Sequence, residues 1–591
     1  MIQPKRFLIT TAIEETWAFD RPVLFLGEWT RLHARREVWQ GLDAVVAAPV
    51  GVDRVQRWRD FESLQVLADR LLQELTAVLN AEHGVFHGER HWRIILGHWL
   101  SRYLSLAFNR YQTVERALAD YAIDGTAELD FDNYTLATQN SLSFLWASND
   151  KVWNHVFYSR ALQHLGGPVP DRCTPKLQVA GYAIPVAATA LRKGLRGRLV
   201  TGARRFLSAL SRETDAVILD THLSRVNEVL LQVSLGQMPQ FWSSPEPVTT
   251  AVDLTRRKCL VDVSGEGFER FSRALLGEVL PTCFLEGYLP LLAAVDALPW
   301  PAKPKYIFTS NRFDVDEGFK LWTASKVEQG TAYFTGQHGL GYGSHIHMQT
   351  RYRPEMAASD AFLTWGWSDR TTGAVPAFIF NTAGLKAHRR SCEGGLLLVE
   401  ASMFNQITHW DNYHEFCLYQ EDQFRFAAAL PKAIRRQLTV RLHGSHRKFE
   451  WADVQRWQER DPDIFIDTGA ITIRQQTERS RLIVYAYNST GILECLSLNI
   501  PVLGFWRDCL GDLTEDAQVH YRGLIEAGVL LPGPEAAAQR VADLWGNVGP
   551  WWSSVEVQSA RAAFCAQFAR SSAYPVRDLK TLLETLCRRD K

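Results

Sequence analysis

A chain of 591 residues is too long for one hydrophobic core and should divide into two or more domains. Apolar residues make up 46 % and charged residues 22 %, the balance of a folded soluble protein, and Lys+Arg equals Asp+Glu at 65 each, so no global field favours nucleic acid. Nine cysteines without a C-x-x-C pair argue against a zinc ribbon, a thioredoxin-type site or a disulfide framework, and point to reduced thiols in a cytosol.

Met1 to Thr10 has no apolar stretch of signal-peptide length, and no run approaches a membrane span. Phe7–Thr10 and Val23–Gly27 read as buried strands, and Phe61 to Asn80 is apolar at helical spacing. From Glu89 to Asp120 the residues Trp92, Ile95, Leu96, Trp99, Leu100, Tyr103 and Leu106 recur at helical intervals, so a helical insertion is expected over about 60–165. Strand character returns at Ala216–Asp220, Tyr306–Thr309 and Ala361–Thr364, each followed by polar turn residues. A second series runs through Leu396–Val399, Leu438–Leu442, Ile464–Ile466, Leu482–Ala486 and Pro501–Phe505 with helical patterns between, the signature of a separate parallel sheet. The break falls in the Gly384–Gly395 cluster, and the chain reads as helix after Leu531-Pro532-Gly533-Pro534. The expected domains are 1–385, 386–570 and a C-terminal helix over 571–591.

Tyr487-Asn488-Ser489-Thr490-Gly491-Ile492-Leu493-Glu494 joins a strand to a short helix. Its two hydroxyls and backbone N–H groups at a helix N-terminus suit a phosphate, and Glu494 lies one turn on, where it could accept from ribose; the competing reading is a helix cap at Ser489. At the end of another strand, Arg441, His443 and His446 suit an anionic phosphate or carboxylate, against a plain solvated loop. Gln337-His338-Gly339, inside a glycine-rich turn after a strand, places His338 as a general base with Gln337 and Gly339 beside an acceptor. Asp316 is a second-choice base, with a helix N-terminus as the competing reading. Glu28, at the tip of an early strand, would stand on the cleft wall, with Arg35 and His91 as acceptor-binding residues; an exposed basic helix and a buried network are their alternatives. His345 and His347 lack a nearby carboxylate pair, so no metal and no cofactor are expected.

Glu494 to Val502, a carboxylate helix followed by Pro501 and a strand, resembles the nucleotide-sugar half of GT-B glycosyltransferases. Ser489-Thr490 resembles the paired hydroxyls of bacterial sialyl-, Kdo- and glycerol-phosphate transferases that use cytidine nucleotides, although Gly444 stands after His443 where their motif has proline. Gln337-His338-Gly339 resembles the His-Gly turn of glycerol-phosphate polymer transferases, and Asp316-Glu317-Gly318 an acidic motif of sialyltransferases. With Gly27-Glu28-Trp29, His91-Trp92-Arg93-Ile94, Thr364-Trp365-Gly366-Trp367 and Asn488-Ser489-Thr490-Gly491, the whole chain resembles bacterial surface-polysaccharide and O-antigen transferases.

The resemblance implies an α/β GT-B fold, two Rossmann-like domains facing across a cleft with a helical insertion in the first. It implies a metal-independent glycosyltransferase that moves a sugar, preferably a CMP-activated ulosonic acid such as Kdo, to a glycan acceptor of a cell-surface polysaccharide or lipopolysaccharide. A cytoplasmic site follows, with room for a lipid-linked acceptor at the inner membrane face; the basic amphipathic segment Arg192 to Arg205 would suit peripheral contact there. Alternatives are a sugar-nucleotide 2-epimerase of the same fold and a noncatalytic polysaccharide-assembly protein.

Overall fold

Unbroken apolar runs such as Leu396-Leu397-Leu398, each at most 1 % exposed, form strands buried on both faces. In the computed structural model, which describes residues 4–131, 134–173, 211–348, 352–385, 394–403 and 407–589, they build three sheets with every strand pairing parallel.

The first sheet holds β1 (Arg6–Ile9), β2 (Val23–Phe25), β3 (Ala44–Val46), β4 (Ile123–Leu129) and β5 (Asp171–Cys173), in the order β3-β2-β1-β4-β5. The second holds β6 (Val217–Leu219), β7 (Tyr306–Thr309), β8 (Ala332–Gly336), β9 (Ala361–Thr364) and β10 (Ala374–Pro376), laid side by side in sequence order. The third holds β11 (Gly395–Val399), β12 (Leu438–Arg441), β13 (Phe465–Asp467), β14 (Ser480–Tyr485), β15 (Val502–Phe505) and β16 (Leu530–Leu531). Its order, β13-β12-β11-β14-β15-β16, is that of a doubly wound nucleotide-binding sheet, with the switch point between β11 and β14.

The parallel α/β architecture is the expected one, but the N-terminal part carries two sheets where one was expected. The stretch 60–165 is not an insertion. Its helices Arg54–His83 and Glu89–Asp120 form the crossover from β3 to β4, and β4 pairs with β1. Ile123-Asp124-Gly125-Thr126-Ala127-Glu128-Leu129 is too polar to announce a strand, which is why β1 and β2 were legible as strands while the separate sheet they form with β4 was not.

Two features join the second sheet to the third. One apolar cluster runs from Tyr342, Trp365 and Trp367 beside the second sheet to Ile483, Ile492 and Phe564 of the third. After the helix Val555–Phe568 the chain crosses over, with Arg570 N donating to Trp365 O (2.8 Å) and Ile379 N to Arg570 O (2.8 Å). The final helix Pro575–Arg589 then buries Leu579 and Leu583 against Ile218 and Phe308 of the second sheet. The first sheet docks on the third through Asp411 N to Val50 O (3.0 Å) and the Arg57–Glu415 ion pair (2.6 Å). No described helix is long and apolar enough to cross a membrane, and Arg192 to Arg205 lies outside the described residues.

Candidate functional site

The exits of β8 and β14 meet. Leu340 N, in the turn after β8, donates to Thr490 Oγ1 at 3.1 Å, and a Cβ on Gly339 would lie 3.6 Å from the same oxygen. Ser489 is the N-cap of the helix Thr490–Ser497, its Oγ accepting from Ile492 N at 3.3 Å, so the capping alternative is realised. Gly491 lets the first helical turn lie against β14; a Cβ there would stand 2.3 Å from Tyr485 Oη. Asn488 donates to Tyr521 Oη at 2.9 Å and lies 3.4 Å from His345 Nε2. Glu494 accepts from Asn381 Nδ2 at 2.8 Å, a contact between the second and third sheets, and burial pushes its carboxyl above the usual range.

His338 lies in the turn held by Gln337. The Gln337 Oε1 accepts from Trp365 N and from Trp367 Nε1, both at 3.0 Å, and its Nε2 donates to Gly339 O at 2.9 Å. At 2 % exposed, Gln337 has its polar atoms committed to bracing the turn, which corrects its assignment as an acceptor-binding residue. Gly343 takes a left-handed φ of +69°, and a Cβ there would stand 2.4 Å from the Trp367 indole.

Behind His338 lies a buried polar network that sequence reasoning missed. Tyr342 Oη is 3.4 Å from His338 Nδ1 and 2.6 Å from Glu355 Oε1. Glu355 also pairs with Arg353 Nε (3.0 Å) and faces His98 Nε2 (3.4 Å); His98 in turn lies 3.8 Å from Asp314, which pairs with Arg102. Burial pushes the Glu355 carboxyl up, but Arg353, His98 and Tyr342 together hold it down at about 2. Burial pushes His338 down to about 4, so its ring is neutral near physiological pH, the state a base needs. His222, at the exit of β6, lies near-parallel to His338 with ring centroids 6.2 Å apart. Its turn is strained, since Asp220 (φ 44°) and His222 (φ 61°) are both left-handed without being glycine. Arg353-Pro354-Glu355 reads in sequence as a surface helix start, so nothing local marks Glu355; the one available signal for His222 was its place just past an apolar strand.

The remaining predicted residues do not join this centre. Asp316 is the N-cap of the helix Glu317–Glu328: one oxygen accepts from Phe319 N (3.0 Å), the other from Ser244 Oγ (2.6 Å) and Arg312 Nη1 (2.7 Å), so both are occupied. The second-choice base is therefore a cap. His91 sits at the far end of that helix, about 18 Å along its axis at ~1.5 Å per residue. It is buried at 3 % exposed, with its ring 3.7 Å from that of His87, and Glu328 Oε2 lies 2.6 Å from His87 Nδ1 and 3.3 Å from His91 Nδ1. This realises the buried-network alternative and corrects the acceptor-binding one. The two rings are parallel within 3°, so a shared ion could not lie in both ring planes, and the trio reads as a ring stack in which His87 bonds Glu328.

Glu28 chelates Arg31 (2.6 and 2.7 Å) at the exit of β2, beside Trp29, whose ring stacks on Tyr158 and meets the edge of Tyr413 in the helix Asn412–Ala429. It thus belongs to the junction of the first and third sheets, not to the His338 turn, which corrects its catalytic assignment. Arg35 forms an exposed ion pair with Glu14 (2.7 Å). Arg441 is consumed by Asp467, its in-register neighbour on β13, and by Ile471 O (2.8 Å), which corrects its donor-binding role. His443 is exposed, and His446 Nδ1 lies 3.0 Å from its carbonyl; β11 separates their strand from β14. Arg35 and His446 instead share a groove of about 480 Å³ with Leu32, Phe449, Asp453 and Gln458.

Residues 6–583 match the family described as LIC12162 family transferase. The chain belongs to this family. It is thus a transferase with an α/β fold. No curated protein matches the sequence. Among solved structures, this family member is similar to a protein assigned as a UDP-N-acetylglucosamine 2-epimerase from Listeria monocytogenes, at 13 % identity and a TM-score of 0.36 over 64 % of this chain and 98 % of that one. It is also similar to the wall teichoic acid polymerase TagF (11 %, TM-score 0.33, 67 % and 97 %) and to a Thermobaculum terrenum O-GlcNAc transferase (12 %, TM-score 0.33, 90 % and 98 %). At these identities and scores the likeness carries no argument about activity or ligand.

Proposed function

We propose that this transferase is a GT-B glycosyltransferase that moves a sugar from a nucleotide-activated donor to a hydroxyl of a cell-surface glycan. The observation that carries the reading is the contact of Leu340 N with Thr490 Oγ1 at 3.1 Å. It brings the turn that carries His338, a neutral histidine, against a hydroxyl-bearing helix N-terminus, the two groups that glycosyl transfer asks for. His338 takes the proton of the acceptor hydroxyl: that O–H bond breaks, the acceptor oxygen bonds the anomeric carbon, and the C–O bond to phosphate breaks with its electron pair on the leaving nucleotide. The first-turn N–H groups of the helix Thr490–Ser497, with Thr490 and Asn488, take up the charge developing on that phosphate. These are electrostatic tasks that require no metal.

Ser489-Thr490 favours a cytidine nucleotide, and a CMP-activated ulosonic acid such as Kdo is the preferred donor. The acceptor is a polysaccharide or lipopolysaccharide O-antigen glycan, lipid-linked and met at the cytoplasmic face of the membrane. The test is a thermal-shift series with CMP, CDP, UDP and GDP, followed by transfer assays with the sugar nucleotide that binds. A nucleotide at ~100 times its Kd should stabilise the fold by about 2.7 kcal/mol. A flat response to all four, or isomerisation of the sugar nucleotide without acceptor, would overturn the reading; the second outcome marks an epimerase.

A further inference from the structure

A histidine acts as a base only from the ring nitrogen that lacks a proton, and the partner of the other nitrogen decides which one that is. For His338 that partner is Tyr342 Oη, 3.4 Å from Nδ1. The bond is long, as such bonds often are before substrate tightens the site. The phenol has one proton, and its direction is set on the far side. Glu355 Oε1 lies 2.6 Å from the same Oη, its side chain is 0 % exposed, and Arg353 pairs with it at 3.0 Å. A carboxylate in that setting accepts and does not donate. The Tyr342 proton therefore goes to Glu355, which leaves its oxygen able only to accept from His338.

We infer that Glu355, acting through Tyr342, is a positioning residue that holds His338 as the Nδ1–H tautomer and keeps Nε2 free as the base. The inference rests on the proposed role of His338, but the tautomer is a property of the unliganded protein. Among the charged and titratable groups of the described residues, no other supplies a fixed acceptor: Arg353 carries only donors, Asp314 is engaged by Arg102, and His222 stacks on the ring face. Those four groups, Glu355, Arg353, Asp314 and His222, are the titratable and charged neighbours that shape the His338 titration.

The two links predict different failures. Tyr342→Phe leaves Nδ1–H without a partner and both tautomers accessible, so kcat should fall about 10-fold with KM unchanged. Glu355→Gln presents an amide N–H to Tyr342, turns the phenol proton towards Nδ1 and selects the Nε2–H tautomer. There kcat should fall about 10²-fold or more, within the range of lost general-base catalysis, and the pH profile of kcat/KM should shift.

The deciding measurement is independent of turnover: ¹⁵N-histidine NMR of the unliganded wild type, with the His338 signals assigned by their loss in His338→Gln. The expected pattern is a protonated Nδ1 and a bare Nε2, reversed in Glu355→Gln. Nε2–H in the wild type, or an unchanged tautomer in a folded Glu355→Gln protein, would overturn the inference. An expected NMR pattern without any transferase activity would instead count against the proposed function and leave the tautomer relay standing.

Discussion

Replacing Gln337 by alanine separates a residue that braces the His338 turn from one that binds acceptor. The substitution strips the partners from Trp365 N–H, Trp367 Nε1–H and Gly339 C=O, and Trp365 and Trp367 are 0 % and 3 % exposed, so water does not reach them without a local opening. An unpaired buried donor costs about 1–3 kcal/mol, so the two donors alone give roughly 3 kcal/mol after partial relaxation. For a unit of about 200 residues, each kcal/mol moves Tm by about 2–4 °C, giving a fall of about 6–12 °C. Differential scanning fluorimetry reads that shift, and amide exchange at Trp365 should accelerate with it. A variant that melts within about 1 °C of wild type, keeps Trp365 protected and shows only a raised acceptor KM would refute the bracing role and restore Gln337 to the acceptor site.

Two further outcomes bear on the site and its stability. Asp316→Ala should cost about 1 kcal/mol as a lost helix cap while kcat stays within about 2-fold of wild type; a loss of about 10²-fold in a stably folded variant would make Asp316 the base after all. Burial holds His98, His155, His338, His347 and His409 at about 4 in the folded protein, against 6.5 when exposed. The unfolded chain therefore binds protons first as the pH falls, so stability is full above about pH 6.5 and drains away towards pH 4. Melting temperature should be level above about pH 7 and drop steeply below about 6; equal values at pH 5 and 7.5 would show that these rings are not buried as described.

Local chemistry was legible without a structure. The strands β7, β9, β11, β12, β14 and β15 announced themselves as apolar runs, and the caps at Ser489 and Asp316 were stated alternatives because a cap is settled within three or four residues. The turns Asn488–Gly491 and Gln337–Gly339 were also legible as motifs, each from its own neighbours. Hydropathy failed where a strand is short or polar: β4 carries Asp124, Gly125, Thr126 and Glu128, so β1 and β2 were read as strands but not as part of a sheet of their own.

What only the tertiary structure decided is which of the motifs share a site. Thr490 meets Leu340 across 150 residues, Glu28 and Arg441 are spent on Arg31 and Asp467, and His91 is stacked out of reach behind a helix. Residue type says which bonds a side chain can make, and sequence spacing says which near neighbours it can find. Whether Arg441 greets a phosphate or an aspartate depends on the strand packed beside it, and the partners behind His338 depend on a glutamate that packing buries next to Tyr342. Both are set by long-range packing, where desolvation forces every polar group to find a partner and so fixes which ones remain for chemistry.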